Sequence, residues 1–268
     1  MKRLKVGIIG CGTIGTAVAG QIVRKFRTRV QIAGLCDRDT QKAARLARSL
    51  RLNVPVLGWR EIVRRSDLIV EAASASVSAV IAEEGLRQGK QVMVMSVGGL
   101  LRADLAKLQK YTGKLWVPSG AVAGIDAVQA AAQAGLKSVT LRTRKPPAGL
   151  KDAPYFQRRR FPVLRGKKEV CVFRGTAREA VRFFPQNINV AAVLSLAGIG
   201  AARTRVEIWT SRAYKSNRHE IIAEGRAGRV ETVTDNVPAP ANPKTSALAY
   251  YSALAVLEKI LSTVRIGT

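Results

Sequence analysis

A short apolar stretch, residues 4–9, runs straight into Gly10-Cys11-Gly12-Thr13-Ile14-Gly15. Few folds accept a Gly-x-Gly-x-x-Gly turn between a buried strand and a helix. One glycine makes the tight turn, one lets the backbone approach a pyrophosphate, and one lets helix and strand pack closely. The spacing predicts a strand over 4–9 and a helix over 13–25 with Ile14, Val18, Ile22 and Val23 on one face. Free N–H groups at the helix start, those of Thr13 and Ile14 among them, then stand ready for an anion.

The same residues imitate an address label, since Met1–Lys5 is basic and Ile8-Ile9-Gly10-Cys11 resembles a lipoprotein cleavage box. A secretory signal needs an unbroken apolar run of roughly 7–15 residues, and the glycines interrupt this one too soon. A second apolar strand, residues 30–36, ends in Asp37, at the spacing of an acid that binds an adenosine ribose. The opening therefore reads as a dinucleotide site. Asp37 favours a free 2′-hydroxyl, whereas Arg38 can pair with a 2′-phosphate or stack on adenine, so NAD is the expected cofactor with some use of NADP.

With 268 residues, 47% of them hydrophobic, the chain can bury a substantial core and fits two modest domains. It has no apolar run of about 18 residues, so no membrane span is expected. Cys11, Cys36 and Cys171 have no metal-ligand spacing and leave an odd thiol in any disulfide scheme, which fits a reducing cytoplasm and predicts no metal site. The 45 Lys and Arg against 18 Asp and Glu give a net charge of +27, a field that favours anions and nonspecific nucleic-acid contacts. The basic residues are spread along the whole chain, which argues against a dedicated nucleic-acid domain. The densest groups, Arg158-Arg159-Arg160 and Arg165-Gly166-Lys167-Lys168, fall in residues 150–169, which read as a solvated basic loop.

Strands and helices alternate through the first half, the pattern of a parallel sheet covered on both faces. Residues 67–73 and 91–95 read as strands, 77–88 and 101–111 as helices, and 114–118 as a further strand. Ligands of such sheets lie beyond the carboxyl ends of the strands, which makes Ala73, Ser74, Ser96 and Gly98 candidates to line the cofactor. The turn Ser119-Gly120-Ala121-Val122-Ala123-Gly124 leads into an Ala-rich helix, 125–134. Its small side chains suit either a flat ring or tight helix packing. Beyond residue 137 the pattern becomes that of a mainly antiparallel sheet. Strands are expected at 139–145, 204–213, 218–225 and 229–235, and helices near 176–184 and 188–198. Asn242 and Pro243 read as the cap and first turn of a last helix. The expected organisation is a Rossmann-type doubly wound α/β domain over 1–120, a second α+β domain over 121–241 for catalysis and dimerisation, and a terminal helix over 242–268 that can return to the first domain.

His219 is the one histidine, and therefore the default group for proton transfer near neutrality, although a lone histidine is more often structural. Taken together, the blocks "GIIGCGTIG", "EAAS", "SGAVAGIDA", "TRKPP", "FPQNINVAAVLSLAG", "NRHEI" and "NPKTS" resemble the L-aspartate dehydrogenase family, in family order from residue 7 to residue 246. The resemblance implies a homodimeric enzyme that oxidises L-aspartate with NAD or NADP to iminoaspartate. This product gives oxaloacetate and ammonia or feeds NAD synthesis. It further implies that His219 is catalytic and that Ala123 and Asn189 contact the cofactor. A dicarboxylate also needs cationic and amide donors, for which Arg144, Lys145, Asn187, Lys244 and Thr245 are candidates. Two rivals stand beside this reading: a related amino-acid or imine reductase with the same scaffold and another substrate, and, from a different class, a dinucleotide-sensing protein that uses its basic surface on nucleic acid.

Overall fold

The computed structural model describes residues 3–157, 159–184 and 189–267. The chain divides into two compact units, one of Met1–Pro118 with Ala249–Arg265, the other of Ser119–Leu248 with the last three residues.

The first unit contains β1 (Leu4–Ile9), α1 (Thr13–Gln21), β2 (Val30–Cys36), α2 (Thr40–Ser49), α3 (Trp59–Arg65), β3 (Leu68–Glu71), α4 (Ser78–Arg87), β4 (Gln91–Val94), α5 (Leu105–Leu108) and β5 (Lys114–Trp116). The strands form one parallel sheet in the order β2-β1-β3-β4-β5. Central strands of a parallel sheet are buried on both faces and so read as continuous apolar runs. Val6, Ile8, Leu68, Ile69, Val92 and Val94 are accordingly buried. The expected helix 13–25 ends early as α1 and continues as a π turn, Ile22–Phe26. The expected helix 101–111 is instead a 3₁₀ turn over Val97–Arg102 followed by the short α5. Asp104 separates the two: its backbone is extended and its carboxylate accepts the Lys107 N–H at 3.0 Å, so it caps a new helix. The α2 and α3 helices went unread in the sequence, although Asp39 caps α2 by accepting from Gln41 and Lys42 N–H groups.

The second unit contains α6 (Ile125–Ala134), β6 (Leu136–Lys145), β7 (Val170–Thr176), α7 (Ala177–Phe183), α8 (Asn189–Ala197), β8 (Arg205–Thr210), β9 (Arg218–Gly225), β10 (Gly228–Asp235), β11 (Pro238–Ala239) and β12 (Asn242–Ser246). Its main sheet has the order β10-β9-β6-β8-β7 and is antiparallel except for the β6/β8 pair. One face is apolar and carries helices. The other carries an ion-pair network in which Arg142 meets Glu207 and Glu220, and Arg144 meets Glu220 and Glu169. The basic segment 150–169 is not simply solvated. Tyr155 and Phe156 turn inward against Phe173 and Phe184, with ring centroids 5.1–6.2 Å apart, and Leu150 and Leu164 are buried. Aromatic burial holds this loop down while Arg159, Arg160, Arg165, Lys167 and Lys168 stay exposed.

Residues 242–246 are not the first turn of a helix. They form β12, which pairs with β11, and the last helix, α9 (Ala247–Leu261), begins only after the Ala247 N–H has bonded to Val237 O at 2.9 Å. Proline lacks an N–H and is as compatible with a short edge strand as with a helix start, so the local signal was ambiguous. From Ala249 onward α9 belongs to the first unit, where Glu258 pairs with Arg29 at 2.8 Å.

Candidate active site

The glycine turn shows three different physical requirements. Gly10 has φ +99°, and a Cβ there would meet the Ala72 carbonyl at 2.4 Å. A Cβ on Gly15 would lie 1.8 Å from Gly10 O, so this glycine lets α1 press against the turn. A Cβ on Gly12 would meet nothing within 4 Å. Since no protein atom demands a glycine at residue 12, the open space above it suits a ligand approaching the backbone. Thr13 and Ile14 open α1 at this point, with first-turn N–H groups that have no intrahelical acceptor. Cys11 is buried in the same turn, and burial together with Asp37 pushes its thiol up to about 12, which makes it an inert packing group.

A groove of about 740 Å³ runs from Gly10 and Gly12 past Asp37 and Arg38, with Ala73 and Ser74 also on its wall. The Asp37 carboxylate accepts the Cys11 N–H at 2.7 Å and the Asp39 N–H at 3.0 Å, which fixes it at the end of β2 while leaving lone pairs for a further donor. Arg38 is exposed, and Lys42, which sequence reading missed, lines the groove with it. Ser96 is not on the groove wall. It is buried, its N–H donates to Glu71 at 3.1 Å, and its carbonyl accepts from Ser78 Oγ. Glu71 also accepts the Ala73 N–H at 2.8 Å. One buried carboxylate thus ties together the loops that follow β3 and β4. Burial raises its pKa, opposed by these N–H donors. The sequence signal for it was an acid closing an apolar strand, "DLIVEAAS".

In the second unit, alternation along the strands selects the site. Thr143 and Lys145 on β6 and His219 on β9 fall on the buried face, while Arg142 and Arg144 fall on the ion-pair face. Arg144 is therefore not brought together with His219. Its guanidinium is engaged by two glutamates on the opposite side of the strand. Thr143 and His219 are register partners, and Thr143 Oγ1 lies 3.0 Å from His219 Nδ1. His219 is 3% exposed and Lys145 6%. Burial, reinforced by the Lys145 charge, pushes the imidazole down to about 3, and burial pushes Lys145 down to about 8. The histidine is therefore neutral throughout the physiological range.

On its other side His219 pairs with Thr234 of β10, whose Oγ1 accepts the Ala123 N–H at 3.1 Å. Thr232 Oγ1 donates to Ala123 O at 3.1 Å, and Asn236 Nδ2 donates to Ala121 O at 3.0 Å. Three polar residues at period two thus hold the loop that carries Ala123, a pattern legible in "TVTDN" but not read as functional. Asn189 is the first residue of α8, and Thr245 is part of β12. Asn187 lies outside the described residues, as does the Lys244 side chain. Among the described residues no group of three or more His, Cys, Asp and Glu could hold a metal ion, and no helix is long and apolar enough to cross a membrane.

Residues 126–260 match the family model for the aspartate dehydrogenase C-terminal domain, and residues 10–117 match the NAD-binding domain of homoserine dehydrogenase. The chain is 46% identical to an L-aspartate dehydrogenase of Methanosarcina acetivorans, over 99% of this chain and 100% of that protein. The chain belongs to the aspartate dehydrogenase family. A second member, L-aspartate dehydrogenase 3 of Bordetella bronchiseptica, is 37% identical over 100% of this chain and 98% of its own length. The aspartate dehydrogenase family also supplies a fold match: a crystal structure from Thermotoga maritima covers 99% of this chain and 100% of its own with a TM-score of 0.75, at 23% identity. The fold is the expected one, a Rossmann-type parallel sheet joined to a mainly antiparallel α+β unit. Within this family frame the glycine turn belongs to the unit that matches an NAD-binding domain.

Proposed function

We propose that this chain is an L-aspartate dehydrogenase, oxidising L-aspartate with NAD or NADP to iminoaspartate, which water converts to oxaloacetate and ammonia. Full-length similarity to proteins of that name carries the proposal, and the chemistry of the buried His219 row supports it. The cofactor, when bound, supplies the two-electron acceptor. Gly10, Gly12 and Gly15, with the N–H groups of Thr13 and Ile14, hold its pyrophosphate. Asp37 and Arg38 face its adenosine ribose, and Ala73, Ser74, Ala123 and Asn189 contact the remainder. Ser96 acts from behind, through Glu71.

Oxidation of the amine requires loss of a proton from nitrogen, and hydrolysis requires loss of one from water. His219 serves these steps as a neutral base in the tautomer whose Nδ1–H donates to Thr143 Oγ1, so that Nε2 takes the proton. Lys145, a buried cation below about pH 8, pairs with a substrate carboxylate, helped by Thr245, Lys244 and Asn187. Arg144 drops out of this set because its glutamates already engage it. We further propose a homodimer in the cytoplasm without specific nucleic-acid binding, its product feeding NAD synthesis.

The test is NADH formation on adding L-aspartate, run beside D-aspartate, L-glutamate, L-alanine and L-lysine, in wild type and His219→Asn. L-Aspartate alone should support turnover, and the variant should lose ~10²–10⁴-fold while NADH binding stays within about twofold. Equal rates with another amino acid would reassign the substrate.

A further inference from the structure

The segment after α2 is laid against the free edge of the first sheet. Leu35 N–H donates to Pro55 O at 3.1 Å, Leu57 N–H donates to Leu35 O at 2.9 Å, and Leu35 pairs in parallel with Val56. Residues 55–57 therefore extend the sheet on the side of β2 away from β1. Gly10 and Gly12 follow β1, Asp37 follows β2, and Trp59 stands two residues beyond the added edge. Glycine turn, ribose acid and indole thus succeed one another across the sheet, and all line the same groove.

A dinucleotide laid along that sequence puts its pyrophosphate at the glycines, its ribose at Asp37, and its base one step farther out. Trp59 is half-buried and opens α3 after Gly58, where a Cβ would meet nothing within 4 Å. Arg60 lies over the indole, its guanidinium carbon 4.4 Å from the ring centroid. The other tryptophans are tied by their N–H groups, Trp116 to Gln91 and Trp209 to Glu207, and neither lines the groove. An indole on a groove wall with a cation over its ring is the kind of surface on which a purine stacks.

We infer that Trp59 is the adenine platform of the cofactor groove, binding the base by stacking and so contributing affinity rather than chemistry. The inference rests on the dinucleotide reading of the groove, and not on which substrate is oxidised.

The test titrates ADP-ribose, and nicotinamide mononucleotide as a control lacking adenine, into wild type, Trp59→Phe and Trp59→Ala, by calorimetry and intrinsic fluorescence. ADP-ribose should quench wild-type fluorescence, and this component should vanish in Trp59→Phe, whose affinity should stay within about threefold. Trp59→Ala should weaken ADP-ribose and NADH alike by about tenfold or more, with mononucleotide binding unchanged. Unaltered ADP-ribose affinity in a folded Trp59→Ala, or quenching that persists in Trp59→Phe, overturns the platform. Should Trp59→Ala not fold, the quenching comparison between wild type and Trp59→Phe decides. Wild type that binds ADP-ribose through Trp59 but does not oxidise L-aspartate would sink the proposed activity and leave the platform standing. Wild type that binds no ADP-ribose would remove the platform and the groove assignment together.

Discussion

Thr143 and His219 face each other across adjacent antiparallel strands, hydroxyl to Nδ1, on the buried side of the sheet. Whichever of the two donates, this bond orients the ring and sets the state of Nε2. Thr143→Val, which keeps the shape and removes the hydroxyl, should lower kcat about tenfold, in keeping with the effect of losing an orienting partner. Thr143→Ser should restore most of it, and KM for NAD should not move. Equal rates in the valine variant would show that packing alone orients the ring.

Lys145 gives a pH dependence of definite sign. In the free enzyme the ammonium is present below about pH 8 and lost above it, so an anionic ligand that it holds should bind well at pH 7 and weaken as pH rises. Succinate has no amine to titrate and is a suitable probe. Its inhibition constant should rise between pH 7 and 9 in wild type and be weak and flat in Lys145→Met. His219, pushed down to about 3, should add no transition near 6.5. A flat wild-type profile would place the substrate carboxylate elsewhere.

Two alanine substitutions in the glycine turn should fail in opposite ways. Gly15→Ala drives a Cβ into Gly10 O and should destabilise the fold, seen as a drop in Tm. Gly12→Ala has open space and an ordinary extended backbone at φ −78°, so its Tm should match wild type. Its affinity for NADH should nevertheless fall by about tenfold or more, because the methyl occupies the pyrophosphate approach. Wild-type affinity in Gly12→Ala would mean the pyrophosphate does not sit there.

Glu71 should matter to the cofactor without touching it. Glu71→Ala leaves the Ala73 and Ser96 N–H groups without their acceptor, a loss of about 1–3 kcal/mol at the buried Ser96 N–H. Denaturant unfolding should report the destabilisation, and KM for NAD should rise with KM for L-aspartate unchanged. Equal increases in both constants would mean general loosening rather than a displaced groove wall.

The sequence by itself determined the Rossmann half, because the evidence for it is local. Gly10, Gly12 and Gly15 lie within one turn, Asp37 follows at a fixed interval, and buried parallel strands are legible as apolar runs. It also singled out His219. What only the tertiary structure decided is which residues stand beside that histidine. Strand register is long-range: Thr143 and Thr234 flank His219 from 76 residues before and 15 after. Alternation put Lys145 on the histidine's face and Arg144 on the other, although adjacent basic residues look interchangeable in sequence. The strand at Asn242–Ser246 was likewise decided by pairing with Pro238–Ala239, since Asn-Pro starts a helix or serves an edge strand until a partner is present. The roles of Glu71 and Trp59 became visible only in three dimensions, one through the amides that this strand-closing acid binds and the other through the sheet edge that carries it to the groove.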